Sequence, residues 1–289
     1  MTLSLVDRPL GFEALRDRPG DVWRRSRRFT FLDRLGVVPL SDSELLQTSL
    51  YLPLAVLESA GTHEVVAVVH PAFLARSPVR ADGRWGQAYM PIALRCLPFR
   101  KGGRAADGMA KLEIAADLEV DDDSVALPFT ENGRMQQDLA RAVSLLDRLE
   151  KGRARLASAA ASLVAADLLV PLVSTDAENV LAADVKLLVV DPQRLWRLTS
   201  LRTMALAADS FLPLDLATAF VFSNRLWASN LVPARSTTGD DTQTPAVDPT
   251  LFGQHAQATF AIELRIDDSS LFSFDTFVKD DKPFVGSGC

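Results

Sequence analysis

The chain has 289 residues, of which 48% are apolar and 24% charged, enough to build a sizeable core and too apolar for an intrinsically disordered chain. Its formal charge of −6 argues against a general affinity for nucleic acid, which needs many cationic contacts to phosphates. Two cysteines, Cys96 and Cys289, are too few for a disulfide framework or a zinc cluster and favour a reducing compartment.

The opening residues Met1 to Asp7 have neither a basic n-region nor a sustained apolar core, and no apolar run reaches the ~18–20 residues of a membrane span. A cytoplasmic protein without a transmembrane segment is therefore expected. Residues 1–29 read as an N-terminal arm that ends in Trp23-Arg24-Arg25-Ser26-Arg27-Arg28. This basic cluster is either a contact for phosphate or anionic lipid, or a solvated arm that packs its aromatics on the domain. The nearby Asp17 and Asp21 favour the second reading.

From Phe29 the pattern tightens. Ser41-Asp42-Ser43-Glu44 has the spacing of a capping box and opens a short helix through Leu50. Glu64 to Val69 is a β-branched run ended by His70-Pro71, as in a strand buried on both faces. Asp82-Gly83 signals a turn before Trp85 and Tyr89, and Pro91 and Pro98 bracket a short helix containing Arg95, so strand, short helix and strand are expected here. Lys111 to Val120 alternates apolar and charged residues with period two, the mark of a half-buried antiparallel strand. Between 134 and 169 the spacing of Leu139, Val143, Leu146, Leu149, Leu156 and Leu163 changes to three and four, which predicts one long helix with Asp147 and Lys151 as an i,i+4 pair. Gly152 interrupts it at a cost of roughly 1 kcal/mol relative to alanine. Val185 to Val190 is a further strand, Asp191-Pro192 starts a helix, and Leu214 to about Ser229 forms another. Residues 233–257 have linker composition, and 258–289 alternate as a C-terminal β-hairpin extension, Thr259 to Ile266 and Leu271 to Val278, which either docks on the main sheet, the favoured reading, or augments a partner's sheet.

Gly83-Arg84-Trp85, Tyr89-x-Pro91 and Leu94-Arg95-x-x-Pro98-Phe99 together resemble the signature of the SapC family of bacterial surface-layer-associated proteins. Val38-Pro39-Leu40 with Glu44, the run from Tyr51 to Val56, Leu127-Pro128-Phe129 with Asn132-Gly133, and Leu168 to Leu172 are similar to flanking parts of that family. The similarity covers residues 30–232, read as a SapC-like domain. The sequence departs from the family pattern at Pro192 and around Phe222 to Leu226. The resemblance implies a surface-layer-associated or interaction protein, reaching the cell surface by signal-less export. The partner it implies is a surface-layer protein or a redox enzyme of the flavin-dependent halogenase type.

The residues themselves show no catalytic motif. His63, His70 and His255 are scattered and match no metal-binding helix, and Asp121-Asp122-Asp123 lacks the alternate ligands and the glycine of a calcium loop. Lys101-Gly102-Gly103-Arg104 lacks the spacing of a phosphate loop, and Gly286-Ser287-Gly288 is no nucleophile elbow. No metal, cofactor or catalytic residue is expected. Arg84, Trp85, Tyr89 and Arg95 are the candidate ligand-binding residues, because they pair aromatic area with directional cations suited to an anionic or sugar-like ligand. The competing reading is an internal cluster whose arginines bond carbonyls and pin the turn. The expected architecture is α+β: an antiparallel or mixed sheet from the first half, a helical second half and the hairpin appendage.

Overall fold

The computed structural model describes residues 2–3, 10–15, 22–59, 61–104, 110–116, 118, 126–131, 134–175, 180–181 and 186–234, all within one compact unit, Met1–Ser236. The expected C-terminal hairpin, the linker beyond Ala234, His255, the Asp121-Asp122-Asp123 turn and the last part of the Lys111 to Val120 strand lie outside the described residues.

The architecture is α+β. Six strands form the main sheet in the order Leu231–Pro233, Leu169–Ser174, Leu187–Val190, Leu54–Ser59, Thr62–Val68, Val37–Pro39, antiparallel at every step. The run predicted to be buried on both faces is so. Val65, Ala67 and Val69 point into a core shared with the helices, while Val66 and Val68 join Phe73, Val189, Trp227 and Leu231 on the opposite face. His63 lies on this strand, opposite Glu58. A smaller sheet joins Phe12–Ala14, Ala110–Ala115 and Phe99–Arg104, and Val22–Arg24 pairs with Ala126–Pro128.

One helix of 29 residues, Gln137–Ala165, spans both halves of the molecule. At 1.5 Å per residue it is about 43 Å long, and its buried stripe serves two cores. Leu139, Ala142, Leu146 and Leu149 pack with Trp23, Ile92, Phe99 and Phe129, whereas Leu156, Ala159, Ala160 and Leu163 pack with the main sheet, Leu216 and Phe220. Gly152 sits at the join. A Cβ there would lie 2.0 Å from Ser41 Oγ and 2.7 Å from Ser41 Cβ, so the glycine exists to let the Ser41–Glu44 loop cross the helix in contact with its backbone. Arg155, nearly one turn on, clasps the carboxylate of Asp42 with two nitrogens and holds its pKa below the ordinary value. Asp147 does not pair with Lys151 as expected. It meets Lys101 of the smaller sheet, which ties the helix to that sheet.

Asp191 caps the helix Pro192–Trp196 through its Oδ1, which accepts from Gln193 N at 2.8 Å, as Asp-Pro predicts. The helix expected from Leu214 runs over Leu212–Ser223 and tightens into a 3₁₀ turn, Asn224–Leu226, before the buried Trp227. Among the described residues, no strand leads directly into Pro91 as expected. Residues 79–85 form a turn fastened by single bridges, Val79 to Trp85 and Arg28 to Arg84.

Candidate functional site

Glu44 is the residue that fixes the Arg84–Arg95 stretch in place. The residue is 2% exposed, and its carboxylate accepts three hydrogen bonds. Ser41 N donates to Oε1 at 3.0 Å, the reciprocal half of the predicted capping box, while Ile92 N and the Tyr89 hydroxyl donate to Oε2 at 2.7 and 2.9 Å. Burial pushes the Glu44 carboxyl above its ordinary value, against the pull of these donors and of Arg95, and the same burial with Glu44 beside it raises the Tyr89 phenol. Glu44 therefore spends its acceptors on one loop and the start of one helix. It is a clamp, and its lone pairs are not open to a substrate.

The four candidate residues divide around this clamp. Tyr89 turns inward to Glu44. Arg95, at the end of the helix Ile92–Arg95, lies over the Tyr89 ring at 5.5 Å and donates from Nη2 to the Tyr89 hydroxyl at 3.3 Å. Trp85 donates from Nε1 to the carbonyl of Tyr89 at 2.8 Å and stands edge-on to Phe29 with centroids 5.7 Å apart. Arg84 is exposed and faces Asp82 at 4.0 Å, a surface pair worth little. The turn behind it needs Gly83, whose φ is +82° and whose missing Cβ leaves room for Thr30 and Arg28 at 3.3–3.4 Å. Phe29 N donates to the Gly83 carbonyl at 2.7 Å. That bond and the Arg28–Arg84 bridge bring the N-terminal basic cluster against the turn.

The result is an open cleft of about 530 Å³, a size suited to a small ligand. Arg25 and Arg27 border it from the arm, Arg84 and Trp85 from the turn, Arg95 from the short helix, and Asp138 and Arg141 from the first turns of the long helix. Five arginines and one acid thus line the cleft, with apolar surface from Phe29, Trp85, Leu94 and Ala142, and Arg141 pairs with Asp138 at 3.3 Å. The structure brings Arg84, Trp85 and Arg95 together along this cleft. It leaves Tyr89 out of the lining, because Glu44 draws the ring inward. The amides at the start of the long helix are already taken, since Gln136 Oε1 accepts from Asp138 N at 2.7 Å and Leu139 N at 3.0 Å. Positive character in the cleft comes from arginine side chains and not from that helix end.

Two other clefts lie among the described residues. One of about 430 Å³, between the smaller sheet, the edge of the main sheet and the long helix, has a self-paired rim: Arg100 with Glu113, Lys101 with Asp147, and Arg153 with both Glu64 and Glu150. The other, about 610 Å³, is an apolar groove with Leu46, Leu50 and Phe222 on its walls. Cys96 is fully buried below the arginine cleft's short helix, and burial pushes its thiol up to about 11, so it is no thiolate nucleophile. No group of three or more His, Cys, Asp or Glu placed to hold a metal ion occurs among the described residues.

The sequence profile of the SapC family matches residues 21–229. The chain belongs to the SapC family. The matched span starts upstream of Trp23, so it contains the arm's basic cluster together with the turn, the short helix and the long helix that build the cleft. No curated protein and no solved structure matches the chain. Reading the residues alone found the basic cluster and the Arg84–Arg95 stretch as separate features. It missed that they meet, and it missed Asp138 and Arg141, whose i,i+3 spacing marks one helix face without saying what that face borders.

Proposed function

We propose that this SapC-family chain is a non-enzymatic interaction protein that takes an anionic group of its partner into the arginine-lined cleft. The observation that carries this reading is the convergence of Arg25, Arg27, Arg84, Arg95 and Arg141 from four separate elements on a lining whose one acidic residue is Asp138. Guanidinium groups match carboxylate and phosphate oxygens two at a time and keep their charge at any physiological pH. Trp85 supplies an apolar face beside them, so a carboxylated or phosphorylated sugar, or an acidic peptide carrying a ring, fits better than a bare ion. A surface-layer protein bearing such groups is the partner in keeping with the family.

Titration of the full chain with glucose 6-phosphate, glucuronate and glucose, followed by calorimetry and by tryptophan fluorescence, tests the cleft. The two acidic sugars bind and glucose does not, and Arg84→Gln/Arg95→Gln weakens binding about tenfold or more. Equal binding of glucose, or a double variant that binds like the wild type, refutes the reading. Fractionation of the native cells tests location separately, and finding the protein only in the cytosol removes the surface-layer partner.

A further inference from the structure

The most exposed large apolar side chains of the described residues are not scattered. Trp196 is 78% exposed, Leu201 77%, Met204 70% and Phe211 70%, each above the next, Leu46, at 61%. All four fall between residues 196 and 211, on and beside the short helix Ser200–Leu206. Leu201 and Met204 are i,i+3 on that helix and share a face. Trp196 ends the preceding helix and Phe211 stands at the N-cap of the following one. The helix Ser200–Leu206 gives the core only Leu206. Its apolar residues were thus placed outward while a single leucine holds it to the body. Solitary exposed apolar residues are ordinary, but this concentration marks an interaction surface.

Charge indicates what the surface meets. Between Asp191 and Asp209 the only charged residues are Arg194, Arg197 and Arg202. Arg194 turns back to the carboxylates of Asp167 and Asp191 at 2.7 and 3.5 Å. Arg197 and Arg202 are exposed, interleaved with the four apolar side chains, and Asp209 is the one acid among them. We infer that residues 196–211 are a docking surface for an anionic lipid bilayer: Trp196, Leu201, Met204 and Phe211 enter the interfacial layer, and Arg197 and Arg202 meet lipid phosphates. Side chains that stand out to this degree do not form a shaped concavity, and a fluid bilayer accepts them without shape complementarity. Tryptophan and phenylalanine with leucine on the inserted side, arginine at the headgroup level, is the composition of interfacial helices. The chain's net charge of −6 opposes approach only at long range, because screening at physiological salt leaves roughly the nearest 8 Å to decide. No described helix is long and apolar enough to cross a membrane, so the attachment is peripheral.

Co-sedimentation of the full 289-residue chain with phosphatidylcholine vesicles, with and without phosphatidylglycerol, tests this. The chain sediments with the anionic vesicles only. Leu201→Ser/Met204→Ser weakens partitioning roughly tenfold or more, and Arg197→Gln/Arg202→Gln weakens it about fivefold per arginine. All four positions are on the surface, so circular dichroism of the variants matches that of the wild type. The control is Arg84→Gln/Arg95→Gln, which leaves partitioning unchanged because the arginine cleft is a different site. Failure to sediment, equal sedimentation with neutral vesicles, or loss only in that control overturns the inference. So does a solution dimer that the serine pair dissociates, which would make residues 196–211 a contact between copies of this chain.

Discussion

Replacing Glu44 tests the clamp beneath the cleft. In Glu44→Ala two buried backbone donors, Ser41 N and Ile92 N, lose their acceptor, and the Tyr89 hydroxyl, which still accepts from Arg95, is left to donate to water. A buried polar group without a partner costs roughly 1–3 kcal/mol, so the two amides together cost about 2–6 kcal/mol. That is a large share of the ~5–15 kcal/mol by which a domain is stable. Glu44→Gln is the milder change. Its one oxygen keeps Ile92 N and the Tyr89 hydroxyl, but its amide nitrogen then faces Ser41 N, and one orphaned donor costs about 1–3 kcal/mol. Urea unfolding followed by circular dichroism measures both. A loss below about 0.5 kcal/mol for the alanine variant refutes the clamp. The pH dependence adds a check of sign. Burial raises the Glu44 carboxyl in the folded state above its ordinary 4.5, so the folded form holds this proton more tightly than the unfolded form. Its contribution to stability is complete below 4.5 and declines as pH rises through the raised folded value. The stability of the wild type relative to Glu44→Gln therefore falls over that range, and a rise there contradicts the argument.

Gly152→Ala gains helix propensity of roughly 1 kcal/mol but drives a methyl to 2.0 Å from Ser41 Oγ, so it lowers the unfolding free energy by a net ~1–3 kcal/mol, measured by urea unfolding; a stabilised variant would show that the loop does not rest on the helix. Cys96, read in a Cys289→Ser background, reacts with an aromatic disulfide reagent only at the rate of unfolding, because burial both shields its thiol and pushes it up to about 11; fast reaction in the native state contradicts this.

The elements read from residues alone are those whose signals are local. Asp191-Pro192 fixed a helix start through a cap and a preset φ, Val65 to Val69 fixed a strand through a β-branched run, and the spacing of Leu139 to Leu163 fixed the long helix. Gly152 shows where local reasoning stops. Propensity records it only as a penalty, and its purpose is visible only once Ser41, more than a hundred positions away, is seen against it. The Asp147–Lys151 pair fails for a related reason. An i,i+4 pair adds only a few tenths of a kcal/mol, so a tertiary partner such as Lys101 displaces it easily.

The cleft was half legible on the same terms. Arg84, Trp85 and Arg95 drew notice as residue types suited to recognition, and the structure sets them on one concave surface. Tyr89 drew the same notice and has the opposite orientation, because residue type does not reveal which way a ring turns. Glu44 decides that. The sequence marked Glu44 as a cap for a short helix, which it is, yet its second oxygen reaches across to Tyr89 and Ile92. Arg95 in turn rests on the Tyr89 ring and bonds its hydroxyl. A carboxylate that closes one loop of the main core thereby sets the position of a cation in the cleft. The fold-pinning reading of the Arg84–Arg95 stretch describes its inner side, where Tyr89 and Ile92 are anchored on Glu44, and the binding we propose would use the outer side, where that anchoring holds Trp85 and Arg95 in register.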